Sequence, residues 1–145
     1  MSKRMFLRDA DSKAFGVLMG FEKYLAESSL DKTHAHLIKI RVSQLNGCSY
    51  CIDKHVQEAL ALGEGGRRLF LLTCWRETPF FSPEERAILT LAEEMTLLSP
   101  HGVSDATYDN VLTLLGQQYT TEVMMGIVAM NAWNRVGIAT NRRPV

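Results

Sequence analysis

Neither sign of charge is in excess in this chain. Its 16 lysines and arginines match 16 aspartates and glutamates over 145 residues, and no basic stripe interleaved with aromatics runs through it. The footprint of a phosphate-binding surface is therefore missing, and nucleic acid is not an expected partner. Long hydrophobic runs are absent too: none reaches the roughly 20 residues that a bilayer-spanning helix needs. The basic opening Met1-Ser2-Lys3-Arg4 is not followed by an apolar stretch of signal-peptide length. No membrane partner is expected, and the expected location is cytoplasmic, where cysteines stay reduced unless they are used. There is no low-complexity tract, interdomain linker or tandem repeat, and the strands of a thioredoxin-type βαβ fold are not suggested. A chain of this length with 46% apolar residues reads as one domain, residues 1–145, able to bury a real core.

Helical periodicity fills most of the sequence. Phe15, Leu18, Met19, Phe21 and Leu25 recur at spacings of three and four across 12–27, ended by Ser28-Ser29. Asp31 is a cap for a second helix over 32–45; its Ile38, Ile40 and Val42 permit a strand, but length and the flanking Asp31 and Asn46-Gly47 favour helix. A third runs from about Cys48 to Leu62 and stops at Gly63. Gly65-Gly66 precede a short apolar segment, Leu69 to Trp75. Ser82-Pro83-Glu84-Glu85 combines a serine cap, proline at the first helical position and a glutamate three after the serine, opening a helix to about Leu98. Ser104 caps a helix to about Leu115, and Thr120 or Thr121 another to about Ala139. The expected fold is an all-α, single-domain bundle of about six helices.

Cysteine is scarce, three in all, but two of them stand in Cys48-Ser49-Tyr50-Cys51-Ile52-Asp53-Lys54-His55. On a helix Cys48 neighbours Cys51, and Cys51 neighbours His55. Cα atoms one turn apart are about 5 to 6 Å from each other, inside the window that a disulfide tolerates. A reversible dithiol couple is sterically available. Asn46-Gly47 breaks the preceding helix, so the thiols are expected over the unpaired amides of a new one. There a thiol pKa can fall from about 8.5 into the range of about 3.5 to 7.5.

Other uses of this motif are weaker. A structural zinc site wants four ligands and the motif supplies three; His34, His36, His101 or Cys74 would have to come from a distance. Haem attachment requires histidine directly after the second cysteine, where Ile52 stands. A purely structural disulfide would close a tiny loop without secretory context. No metal and no organic cofactor are expected.

The run Leu37-Ile38-Lys39-Ile40-Arg41-Val42-Ser43-Gln44-Leu45-Asn46-Gly47-Cys48, continued through His55, resembles the core of the AhpD-like alkylhydroperoxidases within the carboxymuconolactone decarboxylase superfamily. Trp75-Arg76-Glu77, Phe81-Ser82-Pro83-Glu84-Glu85-Arg86-Ala87 and Ala132-Trp133-Asn134-Arg135 extend the likeness over about residues 12 to 140. The resemblance implies an all-helical, usually oligomeric thiol-dependent peroxidase. Its implied partners are a hydroperoxide, a thiol or dithiol reductant and further copies of the chain. It assigns Cys51 the attack on peroxide, Cys48 the resolving role and His55 a proton relay. The family relay commonly includes a glutamate twelve positions before the first cysteine; here that position is His36, a possible relay residue in its place. His34, Asp53, Glu58 and Glu22 are further candidates for the missing group. A lactone decarboxylase-type enzyme, a non-enzymatic redox sensor and a metal-binding protein are the alternatives.

The remaining conspicuous residues read as structural. Cys74, in Leu71-Leu72-Thr73-Cys74-Trp75, is expected to be a small buried hydrophobe. Trp133 and Arg135 are expected to fill core or interface space and to bind a carboxylate or helix end. Glu84, Glu85, Arg86, Glu93 and Glu94 read as solvated helix faces. Met124, Met125 and Met130 are candidates for lining an apolar passage, which would favour organic hydroperoxides, and Tyr50 for shaping access to the cysteines. The ring pKa of His55 is expected near neutrality.

Overall fold

A computed structural model describes residues 4–145; Met1, Ser2 and Lys3 of the basic opening lie outside the described residues. Every regular element among the described residues is a helix. They are α1 (Leu7–Ala10), α2 (Ser12–Glu27), α3 (Lys32–Asn46), α4 (Ser49–Ala61), α5 (Gly66–Leu71), a 3-10 helix (Leu72–Glu77), α6 (Pro83–Thr96) and α7 (Asp105–Ala139). The expected all-α bundle is the observed fold. No helix of the described residues is long and apolar enough to cross a membrane.

Helix α3 is the axis, packed against α4, α6 and α7. Its Leu37 and Ile40 enter a core with Leu72, Trp75, Phe81 and Leu89. Its Ile38 and Val42 enter a second core with Cys48, Cys51, Ile88 and Ile127. All four α3 side chains are fully buried, each burial stabilising by about 1.5–3 kcal/mol. A helix covered on two sides has little polar face to show, which explains the strand-like run Ile38, Ile40, Val42. Polar caps set the boundaries. The Asp31 carboxylate accepts from the Thr33 and His34 amides, Ser82 and Glu85 form the expected capping box, and Ser104 accepts from the Thr107 amide.

Several expectations are corrected. The two C-terminal helices are arms of α7, broken only at Gly116, where φ is 75°. Glycine enters that region without a Cβ clash, so one residue redirects the chain and no loop up to Thr120 is needed. Cys74 is exposed. Its segment is a 3-10 turn that buries Leu72 and Trp75, three apart, and turns Cys74 outward. Glu85, Arg86, Glu93 and Glu94 of α6 are not a solvated face, whereas Glu84 has no salt-bridge partner among the described residues. Arg68 forks onto Glu85 at 2.7 and 2.8 Å and onto Glu64 at 3.0 and 3.1 Å. Glu93 accepts from Trp75 Nε1 and Arg41 Nε, both at 2.8 Å, and from Arg76. Arg86 donates to the Thr78 and Arg76 carbonyls, and Glu94 accepts from Thr107 and the Ser104 amide. A helix joined to short irregular segments must satisfy their orphan backbone groups, and these side chains do so.

Candidate active site

The α3–α4 junction positions the cysteines. Gly47 takes a left-handed conformation (φ 71°) that closes α3, and the Cys48 amide donates to the Ser43 carbonyl at 3.0 Å. Cys48 becomes the N-cap of α4 with no capping bond from its side chain. Cys51 lies in the first turn, ahead of or at the last amide without a partner in the helix, since the ladder begins with Ile52 donating to the Cys48 carbonyl at 2.9 Å. A buried amide network holds this corner. Asn46 Nδ2 donates to Asn131 Oδ1 and Asn134 Oδ1 at 3.0 and 2.9 Å. Asn134, fully buried, donates to Ser43 Oγ at 3.0 Å.

Cys48 and Cys51 are joined as a disulfide with Cα atoms 5.3 Å apart. Both are buried, at 2% and 5% exposure. Gly137 of α7 faces them: a Cβ there would lie 3.4 Å from Cys48 Sγ and 3.6 Å from Cys51 Sγ. These are ordinary van der Waals distances, so the glycine lets the α7 backbone pack directly over the sulfurs, where a side chain larger than a methyl would press on them. This role was not assigned from the sequence, although a glycine on the buried face of a regular helix was its signal.

Cys51 borders a cavity of about 650 Å³, and Cys48 is not on its wall. Phe15, Met19, Met130, Trp133 and Val136 supply the apolar lining. Of the three methionines proposed for a passage, Met130 lines it, whereas Met124 packs onto the core. Tyr50 also lines it. Trp133 stacks edge-on against Phe15 with ring centroids 5.7 Å apart and donates Nε1–H to Glu22 at 2.9 Å. Arg135 instead donates to the Asn131 carbonyl and side chain within its own helix.

His55 lines the same cavity, and its Nδ1 is 2.8 Å from Glu58 Oε2. Burial is the main reason that the His55 pKa falls from 6.5 to about 4, well below the neutral value expected from the sequence. Burial also opposes ionisation of Glu58, but hydrogen bonds from Lys54 and His55 outweigh it and lower its pKa to about 2. At neutral pH the pair is thus a carboxylate and an uncharged ring. An ionised carboxylate only accepts, so Nδ1 carries the proton and Nε2 keeps its lone pair.

The other relay candidates are engaged differently. His36 brings its ring centroid to 6.4 Å from that of His55, and its Nδ1 is buried without a partner. Burial, then Lys39, lowers the His36 pKa. His34 pairs with Tyr119 at 2.7 Å, Asp53 accepts from Gln57, and Glu22 serves Trp133 and Lys39. Glu58 alone among these carboxylates is bonded to His55. His36, His55 and Glu58 also bring one ligand atom each within 4.8 Å of one another. The charges of Lys39 and Lys54 act on that cluster, which disfavours a cation there. The cysteines, bonded to each other, offer no thiolate ligand in this state.

Comparison with known proteins identifies the scaffold. Residues 13–94 match the carboxymuconolactone decarboxylase family. The chain is 38% identical over 143 residues to the uncharacterized protein YdfG of Bacillus subtilis, covering 99% of this chain and 97% of the relative. A crystal structure from Agrobacterium tumefaciens, described as a protein of unknown function and a candidate antioxidant defence protein AhpD, superposes with a TM-score of 0.94 at 30% identity, over 99% of both chains. An uncharacterized peroxidase-related protein from Silicibacter shares the fold, with a TM-score of 0.80 at 22% identity, over 93% of this chain and 72% of that one. The α3–α4 dithiol corner and the bundle around it thus belong to a member of the carboxymuconolactone decarboxylase family, of the AhpD-like kind.

Proposed function

We propose that the protein is a thiol-dependent peroxidase in which Cys51 attacks a hydroperoxide, Cys48 resolves the product, and His55, held by Glu58, moves the proton. The observation that carries this reading is the asymmetry of the pair: Cys51 borders the cavity beside His55, and Cys48 does not. In the reduced protein the first-turn amides of α4 favour a thiolate over the neutral thiol. The uncharged ring accepts the Cys51 proton at Nε2. The sulfur then attacks the terminal peroxide oxygen, the O–O bond breaks, and the leaving alkoxide takes the proton back from His55, so that ROOH becomes ROH and Cys51 a sulfenic acid. Cys48 attacks that sulfur, forming the disulfide and releasing water. A dithiol donor restores both thiols by exchange.

Glu58 supplies the negative charge that the family places at position 36. It lies three residues after His55, so one helical turn holds ring and carboxylate together. Peroxide consumption with dithiothreitol as donor and cumene hydroperoxide as substrate tests the scheme. With dithiothreitol present Cys51→Ser is expected to consume none; with the donor left out, pre-reduced Cys48→Ser is expected to consume about one equivalent and stop. Parent rates in both serine variants would remove the thiol mechanism.

A further inference from the structure

Among the described residues, the cavity wall carries one positive charge that no carboxylate answers. Glu22 pairs with Lys39 at 3.7 Å, Glu58 with Lys54, and Asp9 with Arg8 at 3.2 Å. Arg142, also on the wall, has no ion pair among the described residues. It is nonetheless held in place. Its guanidinium carbon lies 4.3 Å from the Phe6 ring centroid and 5.3 Å from that of Tyr50, the residue next to Cys51. Stacking engages the faces of the guanidinium and leaves the N–H donors on its edge unused. That edge is a fork matched to a carboxylate. The same cavity also carries the apolar side chains of Phe15, Met130 and Trp133.

We propose that this cavity binds an amphipathic carboxylate, with Arg142 taking the carboxylate and the Phe15–Met130–Trp133 wall taking the apolar body. On the peroxidase reading, on which this step of the inference rests, the substrate is an organic hydroperoxide that also bears a carboxylate. A neutral hydroperoxide uses only the apolar wall. Charge-assisted hydrogen bonds contribute about 1.5–3 kcal/mol, which corresponds to roughly 10- to 100-fold in affinity.

Binding and turnover, measured separately, test the two layers. By calorimetry at low salt, 4-isopropylbenzoate is expected to bind at least about tenfold more tightly than the neutral 4-isopropylbenzamide. Arg142→Gln should abolish that gap, and Arg142→Lys should keep part of it by retaining the charge. Equal binding of acid and amide, or a gap that survives Arg142→Gln, overturns the proposal. In turnover, the kcat/KM ratio of para-carboxycumene hydroperoxide to cumene hydroperoxide should fall about tenfold in Arg142→Gln. Turnover of cumene hydroperoxide without any acid-over-amide gap overturns the carboxylate site and leaves the peroxidase standing. An Arg142-dependent gap with neither hydroperoxide consumed supports the site and overturns the peroxidase.

Discussion

The two sides of α3 are built from the same residue types and put to opposite uses. On the side of Leu37 and Ile40, the core around Leu72, Trp75 and Phe81 is bounded by a hydrogen-bonded set of charges. Arg68 is shared between Glu64 and Glu85, and Glu93 accepts from three donors. Arg68 holds the Glu85 carboxyl below the usual range even though burial pushes it upward. On the side of Ile38 and Val42, the core contains the disulfide and opens into a cavity of about 650 Å³. There His55 is uncharged, and among the described residues Arg142 has no counter-ion. Satisfied polar groups on one side make a rigid support; incompletely satisfied ones on the other leave capacity for chemistry and ligands.

Substitutions should separate the two sides. Arg68→Ala strands two acids in a low-exposure site and should lower stability by about 3–5 kcal/mol in denaturant titration. At a temperature where it stays folded, its kcat/KM should remain within about twofold of the parent; a large loss of activity there would break the comparison. His55→Ala should do the reverse, cutting kcat/KM about 100-fold, equivalent to about 2.7 kcal/mol, while chemical denaturation shows no comparable loss.

Acid sharpens the same contrast. Burial depresses the His55 pKa to about 4 from 6.5, so between those values the unfolded chain binds a proton that the folded chain refuses. The stability contributed by the neutral ring is complete above 6.5 and is lost as pH falls through 4. About 2 kcal/mol should be gone by pH 5 relative to His55→Leu, measured by urea unfolding of both proteins across pH. Glu58→Gln should have the smallest effect, about a tenfold drop in kcat/KM, equivalent to about 1.4 kcal/mol. His36→Glu in that background should restore part of it if position 36 can supply the charge.

Much of this architecture was legible in the chain. Asp31, Ser82 with Glu85, and Ser104 are caps in sequence and in structure, because a cap is a local event set by a few residues. The Cys48–Cys51 proximity follows from helical geometry alone. What escaped depends on distant partners. Glu85 and Glu93 resemble exposed residues until Arg68, Arg41 and Trp75 are brought to them across 17, 52 and 18 positions. Cys74 sits in an apolar run whose 3-10 path turns it outward. Glu58 could not be chosen over Glu22 or Asp53 without the rotamers that tie each to its neighbour. Arg142, late in the chain, shows its relation to Tyr50 only after α7 has folded back over α4.

The central claim is that Cys51 is the sulfur offered to the cavity. It is tested most directly by treating reduced Cys48→Ser protein with one equivalent of cumene hydroperoxide in the presence of dimedone and locating the adduct by peptide mass spectrometry. A sulfenic acid trapped on Cys51 of Cys48→Ser is expected, forming about 100-fold more slowly when His55→Ala is added. An adduct on the exposed Cys74 with Cys51 unmodified would contradict it.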